Sequence, residues 1–139
     1  MFLIADLGAQ LVEPPRGIDH QPWHELVQRY VDNRGLVDYQ NWKESQADLK
    51  KLRSYLEQFA SADAESATGD ERIASLINAY NAFTIDFILQ NYPTKSIRLL
   101  DDEFKGKRYR IKHKDYHWGL NDQSTLGADY EHSIFNSIF

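Results

Sequence analysis

Apolar residues recur at helical spacing in four stretches of the chain and alternate with basic residues in a fifth. The longest stretch is 70–91, DERIASLINAYNAFTIDFILQN, too long for a strand and uninterrupted by proline or glycine, which predicts a helix. At 100° per residue, Arg72, Ser75, Ala79, Asp86 and Gln90 fall on one narrow polar or small stripe. Ile73, Leu76, Ile77, Tyr80, Ile85, Phe87, Ile88 and Leu89 cover the rest. The pattern predicts a helix buried on most of its circumference, with the narrow stripe in water. Asn81 lies opposite that stripe, flanked by Ala74, Ile77, Ile85 and Ile88, with Thr84 to one side and Asn78 to the other. An unpaired buried amide costs roughly 1–3 kcal/mol, so Asn81 is expected to have a hydrogen-bonding partner.

Upstream, residues 1–20 form a loose lead containing Glu13-Pro14-Pro15-Arg16-Gly17, with an apolar start that lacks a basic leader region and is too short to span a bilayer. Gln21 to Asp32 reads as an amphipathic helix with Pro22 at its first position and Trp23, Leu26, Val27, Tyr30 and Val31 inward. Glu25 and Arg29 are spaced to pair outside it, and Asn33-Arg34-Gly35 stops it, Gly35 being suited to a left-handed conformation. After an extended link over 36–39, Asn41 and Glu44 resemble a capping box opening a second helix to about Ala60. Its stripe is Trp42, Leu49, Leu52, Leu56 and Phe59. Residues 61–69 are small and polar, a surface loop before the central helix, and Pro93 ends that helix.

Beyond Pro93 the period falls to two. Ser96 to Leu100 reads as a short strand or turn, and Lys107 to Lys114 alternates Arg108, Arg110, Lys112 and Lys114 against Tyr109, Ile111 and His113, a half-buried strand with a basic face. Thr125 to Phe139 is again helical, with Tyr130, Ile134, Phe135, Ile138 and Phe139 in its apolar arc, Glu131 near the centre of that arc and His132 at its edge. The fold class expected is α+β, mainly α: helices packed around the central one, with a small antiparallel β element. The sequence stops mid-pattern on Ser-Ile-Phe, so the single domain 1–139 is expected to be an N-terminal portion of a longer one, with apolar surface on its last helix open to self-association.

Composition narrows the chemistry. Seven Phe, eight Tyr and three Trp support a core, while a formal charge of −5 weighs against nucleic acid or an anionic membrane as main partner. The absence of cysteine removes disulfides, thiolate zinc sites and a cysteine nucleophile from this chain. His113 and His117, beside Asp115 and Trp118, would suit zinc only on a helix, and they read instead as surface histidines. His20 and His24, flanking Trp23, read as packing or solvent-exposed residues. The basic run reads as a solvated strand face. No metal or cofactor is expected. The compartment is cytoplasmic by default, with export left open.

Several blocks together resemble the family called domain of unknown function 547. They are Trp23, Leu26, Tyr30-Val31, then Gly35-Leu36-Val37-Asp38-Tyr39, then Ile77-Asn78-Ala79-Tyr80-Asn81-Ala82-Phe83-Thr84-Ile85. They continue through Tyr92-Pro93 and Ser96-Ile97-Arg98 to Leu126 and Tyr130-Glu131-His132-Ser133-Ile134. In that family the Glu-His pair is usually followed by an arginine and then by a segment carrying His and Cys. Here Asn136 stands about where the arginine would be, and the later segment is missing. The resemblance implies a fold and a site more than a reaction, with hydrolysis or acyl transfer implied for the complete domain.

The site expected from the residues is a polar pocket in which Glu131 and His132 act as an acid/base pair while Asn78, Asn81 and Tyr80 orient a small-molecule or peptide ligand. A desolvated carboxylate beside an imidazole would favour the charged ring. The competing reading is a polar network that only fixes helix register, in a non-catalytic module that binds a protein partner.

Overall fold

In the computed structural model the described residues are 13–61, 63–94, 108–112 and 114–117. Among these residues four helices, α1 (Gln21–Tyr30), α2 (Tyr39–Glu44), α3 (Gln46–Gln58) and α4 (Gly69–Asn91), precede a two-stranded antiparallel hairpin, β1 (Arg108–Ile111) and β2 (Lys114–His117). The class is α+β and mainly α, as the periodicities predict.

The first helix ends at Tyr30, two residues early. Val31 leaves it in extended conformation and bridges Val37, and the Asp32 carboxylate accepts from the backbone N–H of Arg34 and Leu36. Gly35 closes this turn at φ +80, the left-handed conformation expected for it. Glu25 does not pair with Arg29: its carboxylate takes Lys51 of α3 at 2.7 Å, and Arg29 reaches Asp48 at 2.7 Å.

The single helix expected over 41–60 is two. Asp38, not Asn41, caps α2, accepting from the Asn41 backbone N–H at 3.2 Å and its amide at 2.6 Å. Ser45 then leaves the helical region at φ −88, ψ 98 and caps α3 by accepting from Asp48 N–H at 3.2 Å. The break matters for packing. It turns Trp42, fully buried, onto Tyr30 with rings 4.7 Å apart and 12° from parallel. Leu49, Leu52 and Phe59 are buried as expected, joined by Tyr55, which the stripe did not include.

Two further expectations change. The lead is not loose where it is described: Pro15 bridges Ser66, Arg16 N–H donates to Glu65 O at 2.7 Å, and Gly17 N–H to the Glu71 carboxylate at 2.7 Å. The basic alternating run is not one strand but the first arm and turn of the hairpin, with Ile111 paired to Lys114 and Lys112 at φ 53 in the turn. Ile111 is buried, and Lys112 N–H donates to Phe59 O at 2.6 Å, which fastens the hairpin to the end of α3. The stretches 96–100 and 125–139 lie outside the described residues.

The central helix runs as expected to Asn91, and Tyr92 before Pro93 is extended. Leu76, Ile85, Phe87 and Leu89 are buried and Gln90 is exposed as expected, but at other positions the helix is turned from the expected orientation. Ser75, Ala79 and Asp86 are buried, while Ile73, Ala74, Ile77 and Asn81 are exposed. The reason is packing distance. Ser75, Ala79 and Ala82 carry little bulk, so α4 lays this side against α3 and α2, and Phe83 meets Phe59 with ring centres 5.8 Å apart. Asp86 is satisfied on the inside by the Gln90 amide at 2.6 Å, and the Lys43 ammonium donates to the Leu89 carbonyl near the helix end.

Candidate functional site

Of the five site residues read from the sequence, three are described. Asn78, Tyr80 and Asn81 all lie on α4, but they do not converge. Asn81 is exposed with no hydrogen-bond partner among the described residues, contrary to the buried, paired amide expected. Tyr80 is half-buried, its carbonyl accepts from Thr84 Oγ1 at 2.7 Å, and burial pushes its phenol above the usual value. Glu131 and His132 lie outside the described residues, as does His113 of the zinc spacing; His117 stands in a strand opposite Arg108.

Asn78 instead joins a polar cluster built around His20, the residue just before α1. The His20 ring is half-buried between α3 and α4. Its Nδ1 lies 2.8 Å from the Tyr55 hydroxyl and 3.3 Å from the Asn78 amide nitrogen, and its Nε2 lies 3.3 Å from Ser75 Oγ. The Tyr55 and Phe59 rings enclose it at 5.9 and 6.5 Å. With the Asn78 amide nitrogen turned towards it, Nδ1 accepts, which places the ring hydrogen on Nε2, facing Ser75 Oγ. Burial lowers the His20 pKa from its usual value, partly opposed by the carboxylates of Asp19 and Glu71. Burial also pushes the Tyr55 phenol far up, so both rings are neutral at pH 7.

This arrangement is poorly suited to nucleophilic catalysis. An activating histidine must accept the serine proton, whereas here the ring donates to Ser75, whose side chain is buried at 1 % exposure. Periodicity could not show His20, which precedes the first helix. Ser75 gave no signal either, because it falls on the stripe expected in water. His24, one turn on, is exposed.

A second feature is the outer side of α4. Ile73 and Ile77, one turn apart, keep 47 % and 43 % of their surface exposed, and Asn81 continues the same stripe by a further turn. Among the described residues no group of three or more His, Cys, Asp and Glu is placed to hold a metal ion. No described helix is long and apolar enough to cross a membrane.

Compared with known proteins, the chain matches no family model, no curated protein and no solved structure.

Proposed function

We propose that the chain is a non-catalytic interaction module, of the fold that the resemblance to domain of unknown function 547 implies, and that it binds a protein segment on the outer side of α4. The observation that carries this reading is the exposure of Ile73 and Ile77 in line with Asn81 along the outer side of α4. Single exposed apolar residues are ordinary. Two isoleucines at i and i+4, continued at i+8 by an amide free to donate and accept, offer anchors for apolar side chains and one polar group to set their register. A photo-reactive residue placed at 77 should give a discrete protein adduct that Asn81→Arg removes, while the same group at exposed Arg53 on α3 gives none. Equal labelling at both positions, or an adduct indifferent to Asn81→Arg, would refute the reading.

The separation of Asn78, Tyr80 and Asn81 around α4 weighs against a second reading, a polar pocket with Glu131 and His132 as acid and base and those three orienting a ligand. The double substitution Asn81→Leu with Glu131→Leu tests it. Survival of whatever ligand affinity or turnover the intact protein displays would eliminate this reading.

A further inference from the structure

We propose that His20 is a proton-operated clasp: the neutral ring ties the N-terminal lead to α3 and α4, and the imidazolium releases Asn78 and loosens the lead. The proposal is independent of what binds the outer side of α4. Three contacts converge on one imidazole from two helices, Tyr55 on α3 and Ser75 and Asn78 on α4. A proton taken from solvent at Nδ1 turns an acceptor into a donor. The Tyr55 hydroxyl can rotate to accept it, and the Nε2–H bond to Ser75 survives. The Asn78 amide nitrogen cannot accept, so it must swing away or turn round.

The lead hangs on the residues next to this ring. Arg16 N–H, Gly17 N–H and Asp19 N–H donate to Glu65 O, Glu71 Oε1 and Gln58 Oε1 at 2.7, 2.7 and 2.8 Å. The charged and titratable groups facing His20 are Asp19 from the lead, Tyr55 from α3 and Glu71 from the first turn of α4. The two carboxylates favour the imidazolium, and burial against Tyr55 and Phe59 disfavours it more strongly. Since the folded pKa lies below the unfolded value of about 6.5, the clasp is complete above pH 6.5 and is lost as pH falls through the folded pKa. Between those limits, opening of the lead should rise as pH falls, by at most about tenfold per pH unit.

The test is amide hydrogen exchange at Arg16, Gly17 and Asp19 from pH 7 to pH 5, divided by the intrinsic exchange rate, alongside an NMR titration of His20. The native chain and His24→Gln should show opening that increases with acid, and His20→Gln should show none. Asn78→Asp, which presents acceptors in place of the amide donor, should raise the His20 pKa above its native value and weaken the trend. An equal acid dependence in His20→Gln would overturn the proposal. Should that variant not fold, a native His20 that titrates at or above 6.5, or an Asn78→Asp chain with an unchanged trend, would do so.

Discussion

Tyr30 donates its hydroxyl to the buried carboxylate of Asp48 at 2.5 Å, joining α1 to the first turn of α3. Arg29 reaches the same oxygen at 2.7 Å, but its side chain is 57 % exposed against 7 % for Asp48. Water already solvates the guanidinium, so the phenol is the more important donor. Tyr30→Phe leaves a buried carboxylate short of a partner and should cost about 1–3 kcal/mol in urea unfolding. Arg29→Gln should cost less.

The same carboxylate sets a pH dependence. Burial alone would raise the Asp48 pKa, but hydrogen bonds from Tyr30, Arg29 and Ser45 outweigh it and hold it below the usual value of 3.8. Its stabilising effect is therefore present above about pH 4 and lost as pH falls through the folded pKa. Unfolding midpoints measured from pH 5 down to pH 2 should fall in the native chain, and less steeply in Asp48→Asn.

Ser45 ends one helix and starts the next. Ser45→Ala removes the acceptor for Asp48 N–H and should cost about 1 kcal/mol, read from the thermal midpoint by circular dichroism. Thr68, at the corresponding position of α4, makes no side-chain cap, and Thr68→Ala should change the midpoint less.

Much of the fold was legible because it rests on local chemistry. Pro22, Gly35 and Pro93 fix backbone conformation, and the Trp23, Leu26, Tyr30 stripe and the loop before α4 need no tertiary information. The break at Ser45 was hidden because its neighbours on both sides keep helical spacing. The orientation of α4 was misread because small residues were counted with the polar ones. Ser75 and Ala79 are small enough for close helix contact, which moved Ile73, Ile77 and Asn81 to the outside. The His20 cluster was hidden for a different reason: its other members lie 35 to 58 residues from His20 in sequence.

The two sides of α4 should answer differently to substitution. Ile73→Ser with Ile77→Ser should change stability by no more than about 0.5 kcal/mol, as expected of surface positions. Ala79→Leu, which forces a larger side chain into the contact with α3, should cost about 1–3 kcal/mol. Denaturant titration of both variants checks the pair.

The most direct measurement uses the absence of native cysteine. Single cysteines at Ile77, Asn81, Ser75 and Ala79 can be labelled with a maleimide under native conditions, and their rates compared with those in denaturant. The account predicts rates near the denatured value at 77 and 81 and strong protection at 75 and 79. Protection at 77 and 81 with rapid labelling at 75 and 79 would contradict it and restore a buried Asn81.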